Sequence, residues 1–255
     1  MERATHLHSQ ALSLLATELL LAQLDETGSC EFTCWQFAAH LLRDNAWCHL
    51  HGAKILLEYH NQPIVSPCIT FFRKVFQYFN VMLALSLGRR PLIINGVHGP
   101  EFTDKVDNVF GCAGRSWPLK HRLADLIGRV RLGEDGRDEA QSLMGSLEAW
   151  SIDSLPTMDA YMEAMVQIAR AYKFSGLLML RMATNPAFQD HSGALEASDQ
   201  DLYQFAFNSV LRVCVLSMPM ATLTWPLYVV GRLAGSTSDR TIIMHIFRSS
   251  WRSII

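Results

Sequence analysis

Five residues in the first part of the chain have the chemistry to hold a metal ion: Cys30, Cys34, Cys48, His49 and His51. Thiols four positions apart can approach one ion. Cys48 with His51, three apart, would complete a four-ligand set of the kind zinc takes. Two features weigh against that set. The first pair straddles a helix start expected at Thr33, and the spacing fits no common zinc knuckle. Buried thiols beside exposed imidazoles is therefore the reading taken. Asp104 and Asp107 sit three apart and could share a helical face, as acids around a magnesium ion do. No second acidic group in comparable context accompanies them, so a solvated face is expected. Cys112 has no neighbouring base to activate it, because His121 lies nine residues on. It reads as a small residue packed where a helix begins. His98, between the glycines of "GVHGPE", lacks the preceding strand that a phosphate loop needs and reads as a turn. The chain carries no nucleophile elbow, phosphate-binding loop, dinucleotide fingerprint or His-Glu-x-x-His pair. No catalytic residue, metal ligand or cofactor is assigned.

The remaining candidate chemistry is apolar. Met218, Met220, Leu223, Trp225 and Tyr228 crowd one uncharged stretch, and Phe205, Phe207, Phe247 and Trp251 flank it in sequence. Thioethers and aromatic rings fill irregular cores, and they also line pockets for apolar ligands. On the residues alone both readings stand.

Helices must position these groups, because apolar residues recur at helical spacing along nearly the whole chain and no alternating run carries a hairpin signal. Thr33 and Gln36 have capping-box spacing ahead of a helix reaching about Tyr59. Ser66-Pro67 starts a second helix that should end at Gly88. The stretch 89–117 is the least regular. "SWPLKHRLADLIGRV" then restarts a helix with Leu119, Leu123, Leu126, Ile127 and Val130 on its apolar side. Further helices are expected around 138–150, from near Pro156 through Met182, from a cap formed by Ser198 with Asp201 to about Pro219, over "TWPLYVVGRLA", and from Ser238-Asp239 toward Trp251. The expected fold is all-α, a multi-helix bundle or stack of helical hairpins forming one domain over residues 1–255.

Composition narrows the function classes. The 255 residues are 49% apolar and 18% charged, with a net charge of −2. That suits a well-buried globular chain and excludes a dedicated basic surface for nucleic acid. Arg89 with Arg90, and Arg129 with Arg131, read as solvated helix ends. Six scattered cysteines with no signal peptide ahead of them suit a reduced, intracellular setting. Residues 213–231 are uncharged and long enough for a membrane span. Pro219, Pro226 and three hydroxyl residues instead favour two buried helices.

Several segments, in order, resemble the regulatory domain of fungal-specific transcription factors, in particular the subgroup of sterol-responsive regulators. They are "FFRKVFQYFNVMLALS", "GCAGRSWPLKHRLADL", "LEAW", "AYKFSGLLMLRM" with "NPAFQD", and "LTWPLYVVGRLAGSTSDRTII". That family has a Gly-Cys segment leading into an Ile-x-x-Leu helix, matched here by Gly111, Cys112, Leu119, Leu123 and Leu126. It also has a Trp-Pro-Leu-aromatic helix followed by a small-residue turn and an arginine. Here those are Trp225, Pro226, Leu227, Tyr228, Gly231 and Arg240. The likeness spans about residues 5–255. Two departures stand out: Asn80 occupies a position where the helix often has an acid, and the first 29 residues hold no cysteine. The family's six-cysteine DNA-binding cluster is thus not in this chain.

The resemblance implies a non-enzymatic regulatory domain in the nucleus, with the cytoplasm as a second compartment. It implies control of a metabolic or secondary-metabolite pathway and no direct contact with nucleic acid or membrane. Implied partners are the transcription machinery or a separate DNA-binding factor, a second copy of the chain, and an apolar small molecule. That molecule would sit in a pocket drawn from Met218, Met220, Leu223, Trp225, Tyr228 and Phe247. The competing class is an α-helical enzyme acting on apolar metabolites.

Overall fold

The computed structural model describes residues 46–59, 67–93, 111–151, 159–184, 197–216 and 223–252. Among the described residues there are eight α-helices, a short 3-10 turn and no strand, so the fold is all-α. In chain order the helices are α1 (Ala46–Tyr59), α2 (Pro67–Leu87), α3 (Trp117–Arg131), α4 (Arg137–Ala149), α5 (Ala160–Thr184), α6 (Ala197–Val215), α7 (Thr224–Leu233) and α8 (Thr237–Arg252). Two compact units are present: Met1–Leu83 with Pro91–Asn95, and Ala84–Arg90 with Gly96–Ile255.

In the first unit α1 buries Leu50 and Ala53, and α2 buries Val75, Phe76, Phe79, Val81 and Met82. Asn80 is buried with them, and its side-chain oxygen accepts the Leu92 N–H at 2.8 Å. An amide at this position satisfies a backbone donor without the cost of burying a charge.

The second unit begins with the last turn of α2, which closes in a Schellman motif. Arg89 N–H reaches Ala84 O at 2.9 Å, Gly88 N–H reaches Leu85 O at 3.4 Å, and Gly88 takes the left-handed φ of 60° that the motif requires. The Arg131 guanidinium donates to Leu87 O at 2.6 Å and covers another carbonyl at this end. Gly128, in the last turn of α3, lets the backbone of residues 89–90 press against the helix. A Cβ there would lie 2.5 Å from the Arg90 nitrogen. Arg90 pairs with Asp125 at 2.7 Å.

The buried face of α3 is Trp117, Lys120, His121, Leu123, Ala124, Leu126, Ile127 and Gly128. Pro118 occupies the first turn, where its missing N–H costs nothing. Arg129 links α3 to α4: it pairs with Asp125 at 2.9 Å on its own helix and with Glu139 on the next. α4 seals its side of the unit with Ala140, Leu143 and Leu147.

The central helix is α5, which contacts α3, α4, α6 and α7. It runs antiparallel to α6, and an ion pair closes each end of that hairpin. Glu163 near the start of α5 meets Arg212 near the end of α6 at 2.8 Å. Arg181 near the end of α5 meets the buried Asp199 at the start of α6 at 2.6 Å. Ser198 and Asp201 lie inside α6, which begins at Ala197 and not after a cap at those residues. The last helix likewise opens earlier than the sequence suggests. It starts at Thr237, with Ser236 as the cap accepting the Asp239 N–H at 3.0 Å. Asp239 in turn accepts the Tyr203 hydroxyl at 3.0 Å, tying α8 to α6.

Among the described residues no helix is long and apolar enough to cross a membrane. The uncharged stretch 213–231 contains the end of α6 at Val215 and the start of α7 at Thr224.

Candidate functional site

Among the described residues no group of three ligating side chains gathers, and of the candidate metal set only the side chain of His51 falls among them. Cys30, Cys34, His98, Asp104 and Asp107 lie outside the described residues, as do the side chains of Cys48 and His49. His51 is exposed on α1, edge-on to Trp47. Cys112 is buried with Ala113 against Ala169, ringed by Trp150, Met162 and Met165. Burial raises its thiol pKa, the opposite of what a nucleophile needs.

Of the apolar candidates, Met218 and Met220 lie outside the described residues. Leu223 and Trp225 are fully buried where α7 begins, and Phe247 is half-buried on α8. Tyr228, one turn after Trp225, faces a cavity of about 680 Å³. That cavity is lined by Ile127, Val130 and Arg131 of α3, by Met179 and Met182 of α5, by Arg232 of α7 and by the end of α2, and more of its exposed lining is polar than apolar. The volume is in the range of small-molecule pockets. Methionines do meet Tyr228, and they come from α5.

Next to the cavity's helices runs a column of rings. Trp117 of α3 meets Tyr172 of α5 edge-on with centroids 6.2 Å apart, and Tyr172 stacks on Trp225 of α7 at 5.6 Å. The Trp225 indole N–H is buried with no hydrogen-bond acceptor among the described residues. Such donors are rare and invite an explanation.

One residue that sequence reasoning passed over lies at the end of this column. Lys120 is completely buried. Its ammonium sits over Trp117 and Trp150, each at 5.3 Å, and over Tyr172 at 5.1 Å, and it donates to the Ser116 hydroxyl. Three ring faces form a cation cage, and no carboxylate pairs with the group among the described residues. Burial pulls its pKa down from 10.5 to about 7. The sequence signal was the i, i+3 spacing from Trp117, which puts the lysine on the buried face.

The model of the fungal specific transcription factor domain matches residues 1–253. The chain belongs to that family. Comparison with curated proteins and with solved structures returned no match. As a fungal-specific transcription factor domain the chain is a transcription regulator at the level of its family. Three of the four arginines read as solvated helix ends have structural work in this member. Arg90 and Arg129 pair with Asp125, and Arg131 caps α2.

Proposed function

We propose that this domain is a non-enzymatic, ligand-sensing regulatory module. It acts in the nucleus, has no DNA reader in this chain, and works through the transcription machinery or a DNA-binding factor. The output is control of a metabolic or secondary-metabolite pathway, and a second copy of the chain is a further candidate partner. The reading rests on the family match across residues 1–253. The observation that carries the ligand is the cavity under Tyr228, with Met179 and Met182 in its wall.

An apolar molecule there would bridge α3, α5 and α7. It would bind best the state in which the ten-residue α7 is seated, and so shift the population toward it. α8 follows α7 after only three residues, so its outer face would report the change.

The test is to tether the chain to a heterologous DNA-binding domain above a reporter in a fungal host, and to record native mass spectra of the protein from that host. The expected result is regulated reporter output and a co-purifying apolar mass, both diminished by Tyr228→Ala in a variant that still folds. Reporter output unmoved by the tethered chain refutes the regulatory reading. Regulated output with a clean apo mass, unchanged by Tyr228→Ala, refutes the ligand alone.

A further inference from the structure

α7 carries three hydrogen-bond donors on one stripe, Trp225, Tyr228 and Arg232, at i, i+3 and i+7. The Trp225 indole N–H is buried and lacks an acceptor. Tyr228 and Arg232 both line the cavity of about 680 Å³. Among the described residues neither of them makes a hydrogen bond or an ion pair. The nearby arginines differ. Arg131, in the same cavity, is committed to Leu87 O at 2.6 Å, and Arg240 on α8 is committed to Ala234 O at 2.8 Å. No carboxylate is among the residues that line the cavity. The α7 stripe therefore offers donors, and the acceptors are left to a guest.

The rest of the lining selects the body of that guest. Ile127, Val130, Met179 and Met182 are aliphatic or thioether groups, and Tyr228 is the one aromatic ring among the lining residues. Such walls adapt to a flexible chain, and they give a flat ring system no second face to stack on. The last turns of α2, α3 and α5 also reach the cavity. Helix C-termini carry partial negative charge, so an anionic head belongs beside Arg232, which is exposed, with the chain among the methionines. An ionised carboxylate is an acceptor only, which is the complement the stripe lacks.

We propose that the guest of this cavity is an aliphatic carboxylic acid. Its carboxylate accepts from the Arg232 guanidinium and the Tyr228 hydroxyl, and its chain lies against Met179, Met182, Ile127 and Val130. This rests on the ligand-sensing reading above and names the class of the ligand.

The probes are the fluorescent cis-parinaric acid and its methyl ester, titrated into the folded chain. The acid should bind at least about 5-fold more tightly than the ester, the ratio that about 1 kcal/mol supplies, and added salt should narrow the gap. Arg232→Gln, at an exposed position, should bring the acid down to the affinity of the ester and leave the ester unchanged. Arg248→Gln, also exposed but on α8 and outside the cavity, should change neither. Equal affinity of the parent for acid and ester overturns the proposal; if a folded Tyr228→Ala variant then loses both, the apolar-ligand reading still stands. Binding of neither probe sinks the proposal and that reading together. An equal loss of acid affinity in the two arginine variants would reduce the effect to general charge attraction and refute the site. Stronger displacement of the dye by dodecylamine than by dodecanoate would refute it too, and would make the helix ends the dominant charge of the cavity.

Discussion

Replacing Lys120 by methionine keeps the buried stem and removes the amine, so it isolates what burying that amine does. In the unfolded chain the group titrates near 10.5, and in the folded chain near 7. Below about pH 7 both states carry the proton, and the folded state bears the full cost of holding a charge away from water. Between the two values the unfolded chain binds one more proton, so stability rises with pH by about 1.4 kcal/mol per unit. Above about pH 10.5 both states are neutral and the cost is gone. The variant lacks this dependence. Its advantage over the parent should be largest near neutrality and should shrink by about 3 kcal/mol between about pH 6.5 and about pH 9.5. Groups common to both proteins cancel in the difference, including Tyr203, whose pKa is raised by burial and by its bond to Asp239. The assay is urea unfolding of parent and variant across that range, with midpoints converted through a common slope. The three ring faces and the Ser116 hydroxyl favour the ammonium and work against burial. A difference that stays flat with pH would mean that the cage, and not desolvation, governs this lysine, and the argument would fail.

Two further substitutions test the packing. Trp225→Ala removes a buried ring stacked on Tyr172 and should cost about 3–5 kcal/mol, read as a lowered urea midpoint. Trp225→Phe keeps a ring and removes an N–H without an acceptor, so it should cost about 2 kcal/mol or less; equal losses for the two would show that the stack is unimportant. Gly128→Ala drives a Cβ into the backbone of Arg90 and should cost about 1–3 kcal/mol. A thermal melt like the parent's would show that residues 89–90 are not held there.

The helices could be read from the sequence because their boundaries are local. The expected helix at 138–150 is α4 at Arg137–Ala149, and "TWPLYVVGRLA" is α7. Gly88 ends α2 because a left-handed residue is the commonest way to stop a helix. The cap of α8 was missed by two residues because Ser236 and Ser238 both carry a suitable hydroxyl, and only the backbone geometry chooses between them. The apolar side expected for α3 included Leu119 and Val130, which are half-buried, and omitted Lys120. A lysine on a helix is normally solvated. This one is enclosed by Trp150 beyond α4 and by Tyr172 on α5, neighbours that no local pattern links to it. Of the pocket candidates among the described residues, Tyr228 alone lines the cavity. The aromatic residue announces itself, whereas Met179 and Met182 join it through tertiary packing.

The column Trp117–Tyr172–Trp225 joins three helices through rings at fixed angles, 61° at one contact and 23° at the other. Rings locked in this way absorb ultraviolet light as a chirally coupled set and give near-ultraviolet dichroic bands, which vanish when packing loosens even if the helices survive. The protein thus carries an intrinsic optical gauge of whether α7 is seated on α5. Any small molecule that unseats α7 should dim those bands while leaving the far-ultraviolet helical signal intact, which allows effectors to be screened without a label.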